Sequence, residues 1–241
     1  MKLEFLQLKV GKISVLGISV ITATLFVING CTKDTLQVNP AANTEETSTG
    51  GVACKAPVTA FLPCGGFRTQ TQGGWGAPAR GNNPGTYLKN NFAGAFPNGL
   101  IVGRYNRITL TSAQAITNYL PAGGQPGVLT DSYTDPVNLK NNLAAQLVTL
   151  TLSVQFDLYD PNFSSSSVAL RDLVIASGPF AGKTVTALLV EANNLLGGRT
   201  STYTPAEISD ALTSINENFD DGTKNGGFLS CPSSGGGGAY E

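Results

Sequence analysis

The sequence predicts a mainly α (α+β) domain, with about five helices around one long central helix and a small β-hairpin beside them. Three observations carry this. An apolar stripe runs at spacings of three and four from Leu139 to Leu158, two further segments repeat that period between recognisable start and stop residues, and one pair of short β-type runs is separated by Arg104-Tyr105-Asn106.

Taken in order, Pro84 opens a short helix that carries Leu88, Phe92 and Phe96. Leu100–Gly103 and Arg107–Leu110 form the hairpin, which is marginal alone and must pack on the helices. A second short helix follows Thr111, with Gln114 completing a weak capping box. The long helix is expected over Pro136 to Tyr159, with Leu139, Leu143, Leu147, Leu150, Val154 and Leu158 on one face. Leu173-Val174-Ile175 reads either as a third strand or as buried coil. Thr184 to Leu196 is helical, with Val185, Leu188, Leu189, Ala192, Leu195 and Leu196 apolar and Gly197-Gly198 as the stop. Thr204-Pro205-Ala206-Glu207 is a capping box with proline at the first helical position; Ile208, Leu212, Ile215 and Phe219 follow, and the helix ends near Gly222.

The flanks have a different composition. Residues 1–30 read as a lipoprotein signal peptide: Lys2, Lys9 and Lys12 precede an apolar run from Ile13 to Ile28, and Ile28-Asn29-Gly30-Cys31 resembles a lipobox. That resemblance implies cleavage before Cys31 and diacylation of its thiol. The run of 16 residues is short for a membrane span, which needs about 20. Residues 31–53 are then the lipidated cysteine and a flexible tether, 54–231 a helix-rich globular surface domain, and 232–241 a disordered Gly-rich tail. Lys33-Asp34 resembles the lysine-plus-acid export signals of Bacteroidota lipoproteins, and implies an outer-membrane position facing the cell exterior.

Composition excludes several functions. Loss of residues 1–30 leaves 12 basic and 15 acidic residues, a net charge of −3. No run of Lys and Arg offers a nucleic-acid surface. With Cys31 lipidated, Cys54, Cys64 and Cys231 remain. The favoured disulfide is Cys64 with Cys231, because these lie at the two edges of the folded unit and domain termini often lie close together, which leaves Cys54 as the third thiol. The cysteines lack a C-x-x-C element, so no metal and no cofactor is expected.

The most distinctive stretch is Thr69-Gln70-Thr71-Gln72-Gly73-Gly74-Trp75-Gly76, continuing to Asn82-Asn83-Pro84-Gly85-Thr86-Tyr87-Leu88. It resembles the Thr-Gln-Gly-x-Trp start of a domain found in secreted and surface proteins of Bacteroidota and other bacteria. Further matches are Phe96-Pro97, Leu100–Gly103, Leu110–Ala115, Leu143–Leu147 and Asn216–Phe219. The resemblance spans about residues 64–231 and implies surface placement without catalysis, since no activity is established for that family.

Trp75 has two readings: a core residue passed closely by glycine backbone, or an exposed platform for a sugar ring with Arg80, Asn82 and Asn83 bonding to hydroxyls. Catalysis faces one constraint, the complete absence of histidine. Only carboxylate, lysine or tyrosine chemistry remains; Asp157 with Asp160, or Asp220 with Asp221, are the candidate acid pairs, against a reading of both as solvated helix ends. The expected function is a non-catalytic, lipid-anchored surface protein with a structural or adhesive role, and the alternative is a carbohydrate-binding lipoprotein. Expected partners are the membrane, through the lipid, and a glycan or surface protein; self-association through the low-charge surface is also open.

Overall fold

A computed structural model describes residues 64–232. The signal peptide, Cys31, the tether and Cys54 lie outside the described residues, as does the tail beyond residue 232. The described chain runs α1 (Gln72–Trp75), α2 (Pro84–Ala95), β1 (Leu100–Gly103), β2 (Arg107–Leu110), α3 (Ala113–Tyr119), β3 (Tyr133–Thr134), α4 (Asn142–Tyr159), a 3-10 turn at Leu170–Asp172, β4 (Val174–Ile175), α5 (Val185–Leu196), α6 (Pro205–Asn218) and β5 (Leu229–Ser230). The fold is the mainly α (α+β) one that the apolar periods predict.

α4 is the centre, and its environment differs from the expected single stripe. Leu143, Leu147, Leu150 and Val154 are buried, but so are Ala144, Ala145, Val148, Thr149, Leu152, Ser153 and Phe156. Buried residues thus occupy nearly every face, because α1, α2, α5, α6 and β1 all pack on this helix. Leu158, at the far end of the stripe, is exposed. The helix also starts later than Pro136, because the Asn141 side chain accepts from the Ala144 N–H and so caps it there.

Local sequence sets the other ends. Asn83 caps α2 with proline at the first position. Thr184 caps α5, and Gly197 closes it. At α6 both halves of the Thr204–Glu207 capping box are made, and hydrogen bonds from Thr204 hold the Glu207 carboxyl below its usual range. For α3 the cap is Ser112, one residue beyond the expected Thr111. Thr111 instead gives both its N–H and its hydroxyl to Asp135, and Gln114 bonds to Asn118.

β1 and β2 pair antiparallel, with Leu100 opposite Leu110, and β3 adds in parallel on the other side of β2. Val174-Ile175 does form a strand, but in a separate two-stranded sheet with β5. This second pair ties the segment before α5 to the C-terminal end of the described chain. Cys64 and Cys231 form a disulfide beside it, their Cα atoms 6.0 Å apart across 167 residues of sequence.

Candidate functional site

The Thr69–Gly76 stretch is built into the scaffold. Thr69 bridges to the end of α6: its N–H donates to Phe219 O at 3.0 Å, its Oγ1 accepts from Phe219 N–H at 3.1 Å, and its carbonyl accepts from Asp221 N–H at 2.9 Å. Thr71 caps α1, and Gln72 spans Asn142 of α4 and the Ala122 N–H. Gly76 has no room for a side chain, because a Cβ would collide with the Leu120 carbonyl.

Trp75 is 0% exposed. Its indole N–H donates to Ser153 Oγ at 3.3 Å, and its ring packs on Phe156 and Phe163 at centroid distances of 5.2 and 6.1 Å. The sugar-platform reading of Trp75 is therefore overturned: no ligand ring reaches an indole enclosed by α4 and its neighbours. The partners proposed with it do not converge either. Arg80 and Asn82 are exposed, whereas Asn83 spends its side chain locally, accepting from the Arg80 and Thr86 N–H groups and donating to Pro78 O.

The candidate acids are likewise occupied. Asp157 accepts from the Ser164 hydroxyl and the Leu170 N–H, which fixes the loop after α4. Asp160 accepts from the Tyr87 hydroxyl at 2.7 Å and from Asn162. The Tyr87 bond, and then the Asn162 N–H, hold the Asp160 carboxyl below its usual range, while burial and the adjacent carboxylate push the Tyr87 phenol well above its own. Asp221 holds Arg68 at 2.6 Å and Gln70 at 3.0 Å, and Asp220 pairs with exposed Lys224. No group of three or more His, Cys, Asp or Glu side chains that could hold a metal occurs among the described residues.

A cleft of about 490 Å³ lies between the Gly76–Gly85 segment and α3, lined by Lys89, Gln114, Thr117 and Asn118. Within it, Thr117 and Gln114 bond inside α3, while Lys89 is exposed. A further concavity, which sequence reasoning does not single out, lies where the Arg104-Tyr105-Asn106 turn meets α5. Its sequence signal is the Arg104-Tyr105-Asn106-Arg107 run, which the hairpin pattern explains as a connection. Comparisons with protein-family models, with curated proteins and with solved structures find no match to this chain. Among the described residues no helix is long and apolar enough to cross a membrane.

Proposed function

We propose that this is a non-catalytic, lipid-anchored cell-surface protein whose domain has a structural or adhesive role. One observation carries the reading: the side chains best suited to chemistry, Asp157, Asp160 and Asp221, each accept two or more hydrogen bonds that hold loops and helix ends in place. A chain without histidine has few other routes to acid–base work. Anchoring rests on Cys31 and the apolar segment before it. The resemblance to the Thr-Gln-Gly-x-Trp-start domain of surface proteins fits the same reading, since the residues that carry it serve as scaffold.

Two measurements test this. Intact-mass spectrometry of the protein from its native membrane is expected to give a chain beginning at Cys31 with acyl mass added, removed by protease treatment of whole cells. An unacylated or protease-resistant product would overturn the anchored, outward-facing reading. Cells lacking the protein are expected to attach less well to surfaces or to one another; unchanged attachment and unchanged envelope integrity would overturn the structural or adhesive role.

A further inference from the structure

The tip of the hairpin is fixed rigidly on α5. Tyr105 and Asn106 both donate their N–H groups to Gly197 O at 3.2 Å, and the Gly103 N–H donates to Asn193 Oδ1 at 2.8 Å. Gly197 is required there, since a Cβ would collide with the Arg104 backbone. The Asn106 amide bonds to Leu129 O, and the Leu129 N–H to Leu196 O, which binds a third segment to the same end of the molecule.

This rigid corner presents side chains that the fold does not use. Tyr105 is 68% exposed and Val190 56%. Arg104, Arg107 and Arg199 are half of the six arginines in the sequence, all exposed, and none has a carboxylate partner among the described residues. The nearest acids in sequence are committed elsewhere: Asp131 accepts from the Ser132 N–H and Glu191 from the Ser201 hydroxyl. Between Arg104 and α5 runs an open groove of about 240 Å³, lined also by Val190 and Asn194. Asn193 is spent on Gly103 and Leu189, whereas the Asn194 amide has no partner within the described protein.

We propose that this corner docks an acidic polysaccharide, a chain of uronate-type sugars. Guanidinium groups bind carboxylates through two parallel hydrogen bonds, an exposed phenol ring covers the apolar face of a pyranose, and a free amide pairs with hydroxyls. The groove is smaller than the roughly 300–1,000 Å³ that encloses a whole small ligand, so it seats one unit of a longer chain. Repeated carboxylates along that chain match arginines spread across the turn and the end of α5. The attraction is local, because the protein as a whole is slightly acidic. This names a partner for the adhesive role and rests on that reading.

The test uses the full chain in detergent with polygalacturonate, neutral dextran and polyglutamate as probes. Polygalacturonate is expected to bind, more weakly as salt rises. Arg104→Gln and Arg199→Gln should each weaken binding about tenfold, with Arg80→Gln, an exposed arginine on a different loop, without effect. Tyr105→Ala should weaken polygalacturonate binding with unchanged thermal unfolding. No binding, equal binding of dextran, equal binding of polyglutamate, or equal loss with Arg80→Gln each overturns the proposal. Attachment of cells that persists when polygalacturonate binding fails would remove this partner and leave the adhesive reading intact; loss of attachment in the deletion strain speaks only to that reading.

Discussion

Trp75, Tyr119 and Asp160 make different demands on the same core, and each gives a separate measurement. Truncating Trp75 to Ala removes a fully buried ring packed on Phe156 and Phe163 and leaves Ser153 without its indole donor. A loss of about 3–5 kcal/mol in urea unfolding is expected, within the range for large aromatic truncations; a loss below 1 kcal/mol would mean that the indole is not enclosed. Tyr119 is the opposite case, a buried phenol whose hydroxyl has no partner among the described residues. Tyr119→Phe should stabilise the protein by about 1 kcal/mol, since the desolvation cost of that hydroxyl disappears. Burial raises the Tyr119 ionisation above its unfolded value. It therefore adds no pH dependence below about pH 10, and stability falls as pH rises beyond that because only the unfolded chain ionises readily, so Tyr119→Phe should also flatten the alkaline fall in stability. Asp160 behaves in the reverse sense: the Tyr87 and Asn162 hydrogen bonds depress it. That stabilisation is present above the unfolded carboxylate value of about 3.9 and is lost as pH falls through the folded one. Acid titration of unfolding free energy in Asp160→Asn should show a shallower slope below about pH 4 than in the unmodified chain; parallel curves would show that the Tyr87–Asp160 bond adds nothing.

At the scale of elements, the caps are the sharpest handles. Thr204→Ala breaks a reciprocal box at α6 and is expected to cost about 1 kcal/mol; Ser112→Ala should destabilise α3 through loss of its cap, a comparison that chemical denaturation can make directly. The capping signals also mark what could be read in advance. Thr184, Thr204 and Asn83 stand just before strong apolar periods with stops behind them, so α2, α5 and α6 were legible. The start of α4 was not: the apolar period runs on from Pro136, and the cap at Asn141 depends on Gly127, whose carbonyl and N–H both bond to the Asn141 side chain, a contact that no local pattern records. β3 and β5 are two residues each and owe their conformation to partners far along the chain, which no local pattern records. The sequence left Trp75 open between core and platform for the same reason: flanking glycines allow either close packing or exposure, and the core reading is decided by Phe156 and Phe163, about 80 residues away. The exposed side chains of the Arg104–Arg107 turn follow no period in the sequence, because a hairpin pattern accounts for the turn as a connection alone.

For the whole molecule, the decisive feature is that the ends of the described chain meet. Thr69 pairs with Phe219 and Asp221, and Cys64 with Cys231, while β5 also ties the C-terminal end to β4 in the middle of the chain. In the chain-entropy account a bond across 167 residues restricts the unfolded chain by about 5 kcal/mol, the upper end of what a disulfide contributes. The non-covalent links survive its removal, so the Cys64→Ser, Cys231→Ser double variant should still fold, with a lower urea midpoint. Its unfolded state, freed of the cross-link, exposes more surface, and the denaturant slope should rise as the midpoint falls. Cys54→Ser alone should change neither quantity. Should Cys54→Ser instead reproduce the loss seen in the double variant, the stabilising bridge would involve Cys54, and the closure of the two ends would rest on the Thr69 hydrogen bonds and the Arg68 and Gln70 contacts to Asp221.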